Sequence, residues 1–228
     1  MRQAGVREAR QNLSALLEHV REGREVLITD HGRPVARLLA PLPLSLRPFS
    51  GRRALRRQLP SFEPGLSTTL AGSAPAREVL PRAAPASGPL YLDSTALARL
   101  YLSEPGSDAL ERALRGRRDL TVSELAATEL ITAFVLRSQG TRSGPALPRL
   151  QSALIEDLDT GMFRRAEMSP RTHRTAERLA IALGGQAPVR STVILHVALA
   201  VSADATVVVT FDPQLADACT RIGMATFP

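Results

Sequence analysis

Two strand-like runs in the 228-residue sequence end on an aspartate: Leu90-Tyr91-Leu92-Asp93, and Thr206-Val207-Val208-Val209-Thr210-Phe211-Asp212. A strand buried on both faces of a parallel sheet reads as a continuous apolar run. The residue just past its C-terminal end faces the crevice where ligands bind. Each acid has a second reading, as the N-cap of the helix that follows its strand, and the runs alone leave the two readings even. A third acid, Glu129, falls within a helical stretch over 124–134, beside Val122, Leu125 and Phe134. A carboxylate in that setting needs a partner, and a metal ion is a natural one. Glu124, at the start of the same stretch, reads as solvated.

These acids are positioned by alternating strands and helices. After the 90–92 strand comes a helix over Ser94–Tyr101. A second short strand begins at Leu120, and Ser123 is placed to cap the 124–134 helix. Leu150, Leu154 and Leu158 mark one further helix, and Ala176, Leu179 and Leu183 another that breaks at Gly184-Gly185. Residues 191–201 form a strongly apolar helix ahead of the Val207 strand. A helix through Leu215, Ala218 and Cys219 and a last strand at 224–227 complete the pattern. Such alternation implies an α/β domain with a parallel sheet covered on both faces.

Composition separates this part from the rest. Residues 1–84 hold 14 Arg against 7 acids, whereas residues 85–228 hold 15 of each, so the net charge of +7 lies entirely in the first third. A small segment with that imbalance is a candidate footprint for nucleic acid. Every basic residue is arginine, which is read as compositional bias. The single cysteine, Cys219, reads as a core residue in a reducing compartment. No apolar run reaches the ~20 residues of a membrane span and the N-terminus lacks a signal pattern, so a soluble, cytoplasmic protein with no membrane partner is expected.

Near the N-terminus, Val6, Ala9, Leu13, Leu16, Leu17 and Val20 recur at helical spacing, and Gly23 is placed to end that helix. The stretches 25–29 and 35–39 read as two strands joined by Asp30-His31-Gly32-Arg33-Pro34. A unit of about 40 residues is too small to stand alone, so it is expected to dimerise or to pack on something else. Residues 41–89 hold 9 of the 17 prolines and read as an extended, wrapping linker. Within it, 51–59 is expected to form one short helix, with Leu55 and Leu59 on a face. Phe62, Leu66, Leu70, Val79 and Leu80 are anchors for a partner surface.

Val6-Arg7-Glu8-Ala9-Arg10-Gln11-Asn12-Leu13-Ser14, Gly23 and Ile28-Thr29-Asp30-His31-Gly32-Arg33-Pro34-Val35-Ala36 closely resemble the Phd/YefM antitoxin family. The resemblance implies a dimerising, operator-binding domain over residues 1–42, with Arg2, Arg7 and Arg10 as DNA contacts. It also implies that the proline-rich segment 43–88 neutralises a toxin, with Arg77 and Arg82 as candidates for the inhibitory plug. Tyr91-Leu92-Asp93-Ser94-Thr95-Ala96-Leu97, Ser123 with Glu129, Leu195-His196-Val197-Ala198 and Val209-Thr210-Phe211-Asp212 resemble the PIN-domain ribonuclease toxins of VapBC-type pairs over residues 89–228.

The implied fold is a three-layer α/β/α PIN-like domain with a parallel sheet, preceded by a small α+β antitoxin-like domain and an extended linker. The implied function is that of a fused toxin and antitoxin. By the PIN resemblance Asp93, Glu129 and Asp212 would be catalytic metal ligands, with Thr95 and Thr210 holding them. Oxygen ligands of this kind suit Mg²⁺ or Mn²⁺. The family pattern has an aspartate three residues before the helix histidine, where this chain has Val193, so weakened or absent Mg²⁺-dependent endoribonuclease activity is expected. The implied partners are an RNA substrate, operator DNA and a second copy of the chain. The other reading is an inactive DNA-binding autorepressor with a PIN-like assembly domain. His196 is expected to be a buried, hydrogen-bonded core histidine.

Overall fold

A computed structural model describes residues 2–22, 24–39, 47–63, 65–72, 88–138, 145–185 and 188–228. Gly23, Arg77, Val79, Leu80 and Arg82 lie outside these residues. The chain forms two compact units, Met1–Leu44 and Ser45–Pro228.

The first unit runs β1 (Arg2–Gly5), α1 (Val6–Gln11), α2 (Leu13–Arg21), β2 (Val26–Asp30) and β3 (Arg33–Leu38). Its sheet has the order β1-β2-β3, with β1 parallel and β3 antiparallel to β2. His31 and Gly32 join β2 to β3 with φ of 49° and 80°. Two successive positive φ values match the twist of a tight hairpin, and glycine takes one of them without strain. The single helix expected over 6–20 is interrupted at Asn12, whose φ of −121° leaves the helical region. Strand β1 has no sequence signature, because two polar residues followed by two small ones show no alternation and become a strand only by pairing with β2. Ala4, Leu16, Val20, Val26 and Ile28 form the core, while Val6, Leu13, Leu17, Val35 and Leu39 remain exposed.

The second unit begins with α3 (Arg53–Arg56) and α4 (Leu66–Leu70). It continues through β4 (Leu90–Leu92), α5 (Ser94–Tyr101), α6 (Ser107–Leu114), β5 (Leu120–Ser123), α7 (Glu124–Ser138), α8 (Ala146–Asp159) and β6 (Arg164–Ala166). The last elements are α9 (Pro170–Gly184), α10 (Ser191–Ser202), β7 (Val207–Val209), α11 (Pro213–Arg221) and β8 (Ala225–Phe227). All five strands are parallel, in the order β6-β5-β4-β7-β8. The chain leaves the central β4 toward one edge and returns to its other side through β7. That reversal opens a crevice at the C-terminal ends of β4 and β7, where Asp93 and Asp212 follow their strands. Strand β6 was not expected, since an arginine pair and one alanine give no apolar run.

The described part of the proline-rich stretch packs within this unit. Phe49, Leu59, Leu66 and Ala71 belong to its main core, and Phe62 meets Phe134 edge-on at 5.5 Å between ring centroids. Full burial of side chains such as Phe49 and Leu66 stabilises by roughly 2 kcal/mol each. Residues 47–63 and 65–72 thus form a strap built into the α/β core. Among the described residues no helix is long and apolar enough to cross a membrane.

Candidate active site

Asp93, at 1% exposure, caps α5 and stands at the sheet edge at once. Its Oδ1 accepts from the Ala96 amide at 2.8 Å and from Thr95 Oγ1 at 2.8 Å; its Oδ2 accepts from Thr210 Oγ1 at 2.6 Å. Both hydroxyls are themselves held by the chain that follows β7. The Phe211 amide donates to Thr95 Oγ1 at 2.8 Å and the Asp212 amide to Thr210 Oγ1 at 3.0 Å. Burial pushes the Asp93 carboxyl up to about 6, against the pull of His196 and of these hydrogen bonds.

Glu129 projects from α7 to a point 2.8 Å from His196 Nε2. Burial pushes its carboxyl up, but the hydrogen bond and charge of His196 outweigh it, with help from Ser94 and Arg190, and hold the group below the usual range. On its other side, His196 Nδ1 lies 2.8 Å from the Tyr91 hydroxyl, which lies 2.7 Å from Ser123 Oγ. An ionised Glu129 only accepts, so Nε2 carries a proton toward it in either charge state of the ring. Nδ1 donates to Tyr91 when the ring is charged; when it is neutral, Nδ1 accepts from Tyr91 and Tyr91 from Ser123, whose oxygen takes the Ala126 amide at 3.1 Å. His196 is the buried, bonded histidine that was expected.

Asp212 caps α11, its Oδ1 accepting from the Gln214 amide at 2.8 Å. Its Oδ2 is ion-paired with Arg190, the N-cap residue of α10. Burial raises the Asp212 carboxyl despite that pairing. Arg190 is fixed from two more directions: Nε donates to Gln214 Oε1 at 2.8 Å, and Nη1 approaches the Leu70 carbonyl of the strap at 3.4 Å. Val193 lies three residues into α10, 1% exposed, in an apolar cluster with Tyr91, Val197, Val208 and Leu215.

As arranged, these groups do not form a divalent-cation site. Among the described residues no three His, Cys, Asp or Glu side chains are gathered to hold an ion. Asp93 is saturated by hydroxyl and amide donors, Glu129 faces an imidazole, Asp212 faces a guanidinium, and Val193 contributes only alkyl surface. The sequence reading missed Arg190, whose signal is a cation directly ahead of a strongly apolar helix, and the Tyr91–Ser123 pair. In the first unit, Arg7 and Arg10 are exposed and line a cleft of about 460 Å³ with Thr29, Asp30 and His31, while Arg2 pairs with Glu8 at 3.3 Å.

A parallel sheet with acids at the C-terminal ends of β4 and β7 is matched by the PIN domain family model over residues 90–220, and the chain belongs to that family. The model described as antitoxin Phd_YefM, type II toxin-antitoxin system, matches residues 1–42, so the chain joins antitoxin and toxin architectures in one polypeptide. Ribonuclease VapC46 of Mycobacterium tuberculosis is 30% identical over 144 residues, covering 60% of this chain and 94% of its own. Antitoxin VapB46 of the same organism is 56% identical over 43 residues, 19% of this chain and 41% of the antitoxin. The crystal structure of FitAcB from Neisseria gonorrhoeae aligns with a TM-score of 0.49 at 17% identity, over 61% of this chain and 96% of its own.

Proposed function

We propose that the chain is a self-neutralised toxin–antitoxin fusion. Its first unit binds operator DNA as a dimer or higher oligomer, and its PIN unit carries a silenced Mg²⁺- or Mn²⁺-dependent endoribonuclease centre built on Asp93, Glu129 and Asp212. One observation carries the reading of silence: Asp212 is held by Arg190 while the neighbouring position 193 is an alkyl side chain. The ribonuclease relative supports RNA as the ancestral substrate. The exposed Val6, Leu13, Leu17 and Val35 support self-association of the first unit, because a 40-residue module gains stability by covering such a face. Arg7 and Arg10 supply guanidinium groups suited to phosphates and guanine edges.

The second reading, an autorepressor whose PIN unit serves only assembly, draws on the saturated carboxylates. Cleavage assays on the full chain separate the two. Wild-type protein is expected to leave RNA intact in Mg²⁺ or Mn²⁺. Val193→Asp, alone or with Arg190→Gln, is expected to cleave it in a metal-dependent way that adding Asp93→Asn abolishes. An aspartate at position 193 gains from the first turn of α10, where a helix favours an acid, and loses from replacing a valine 1% exposed among apolar side chains, so the fold of each variant is checked by circular dichroism alongside the assay. Intact RNA with both variants would favour the repressor.

A further inference from the structure

Arg190 is a cation at the crevice that nothing in the sequence pattern assigned, and its environment is built. Asp212 takes one end of the guanidinium, Gln214 Oε1 accepts from Nε at 2.8 Å, and the Gln214 amide nitrogen is itself anchored to the Pro188 carbonyl at 3.1 Å. The strap closes the remaining side. The Leu70 carbonyl lies 3.4 Å from Nη1, and Gly72 sits so close that a Cβ there would fall 2.6 Å from the same atom. Gly72 also has a φ of +77°, so the backbone is shaped to lie against this guanidinium at a position where a side chain would be both strained and obstructed.

Resting on the reading of this crevice as a silenced divalent-cation centre, we infer that Arg190 is its built-in counter-ion, a guanidinium clamped by the strap that occupies Asp212 and competes with a divalent cation for the carboxylates. The chain's own PIN unit supplies this charge. Neutralisation by Arg190 therefore needs no arginine from residues 73–87, where Arg77 and Arg82 lie. A guanidinium suits the role because it never deprotonates and its planar fork fills two directions at once. The charge is also felt across the crevice, where Arg190 contributes to holding Glu129 ionised. The alkyl side chain at 193 and the cation at 190 act in the same direction.

Mn²⁺ alone is the probe, added to the full chain and followed by loss of the free-ion electron paramagnetic resonance signal. In a Val193→Asp background, replacing Arg190 by Gln is expected to tighten Mn²⁺ binding at least tenfold. Arg190→Lys, which keeps the charge, stays close to the Val193→Asp parent. Arg190→Met retains the aliphatic stem and serves as a second neutral variant should the Gln protein fold poorly. Equal affinity of the parent and both neutral variants overturns the counter-ion role while leaving the metal-centre reading intact. Absence of Mn²⁺ binding in every variant overturns the metal-centre reading, and the inference falls with it.

Discussion

Arg56 Nη1 of the strap lies 2.6 Å from Glu111 Oε2 of α6, with both side chains 3% exposed. The same nitrogen donates to the Leu100 carbonyl at 3.0 Å, and the Arg52 amide donates to Glu111 Oε2 at 2.8 Å. Removing one partner of a buried pair leaves an uncompensated charge, whereas replacing both by apolar groups can be nearly neutral. Arg115 also donates to Glu111 Oε1 at 2.7 Å and Arg56 Nη2 to Asp108 at 2.5 Å, so each partner keeps one counter-charge when the other is removed. Arg56→Met is expected to lower unfolding stability by about 2 kcal/mol, and Arg56→Met with Glu111→Leu to recover part of it. Urea denaturation of the full chain measures both. A single variant costing under about 1 kcal/mol, or a double variant worse than the single, would show that the strap is not held by this pair.

Tyr91 bridges Ser123 and His196 from within β4, fully buried. Tyr91→Phe keeps the ring and deletes the hydroxyl, leaving His196 Nδ1 and the Ser123 hydroxyl without their shared partner. The expected cost is about 1–2 kcal/mol. The imidazole should also lose its fixed tautomer, read as a changed ¹⁵N shift pattern for His196. An unchanged pattern would place the control of the ring with Glu129 alone.

For Asp93 the folded carboxyl is raised from 3.8 to about 6, chiefly by burial. A raised acid binds its proton more tightly in the folded state. Its contribution to stability therefore falls as pH rises from about 4 to about 6, and stays lost above that. Two pH units correspond to about 3 kcal/mol. In EDTA, Asp93→Asn should remove this slope, so that its stability relative to wild type improves between pH 4 and pH 7. A wild-type profile that instead gains stability over that interval relative to the variant would contradict the burial argument.

The apolar runs at 90–92 and 207–209, the helix at 191–202 and the strand-end acids were legible because burial on both sheet faces and helical periodicity leave marks in residue order. The β6 and β1 strands were not, since each owes its conformation to a neighbour rather than to its own three or four residues. The site was legible in its acids and illegible in their partners. Whether Asp93 binds a metal or two threonines depends on how the 210–212 turn crosses α5, and Arg190 reaches Asp212 from 22 residues away. The strap was expected to lie on a surface, yet Phe49 and Leu66 are core residues of the unit.

Arg7 and Arg10 lie on successive turns of α1, both exposed, bordering a cleft that His31 and Asp30 close from the hairpin turn. Arg2, half-buried and paired with Glu8, is less available. If the first unit binds operator DNA through this face, affinity for a duplex from the chain's own promoter should fall steeply with salt, because each phosphate neutralised releases condensed counter-ions. An arginine that contacts only phosphate and one that reads a base separate cleanly. Loss of the first weakens all duplexes alike and lowers the salt slope by about 1. Loss of the second costs about 1–3 kcal/mol on the operator and little on unrelated DNA. From their positions, Arg10→Ala is expected to behave as the phosphate contact. Arg7→Ala, nearer the helix start, is expected to behave as the base contact. Fluorescence anisotropy at several salt concentrations on operator and scrambled duplexes measures both, and a flat salt dependence for the wild type would remove this face from consideration.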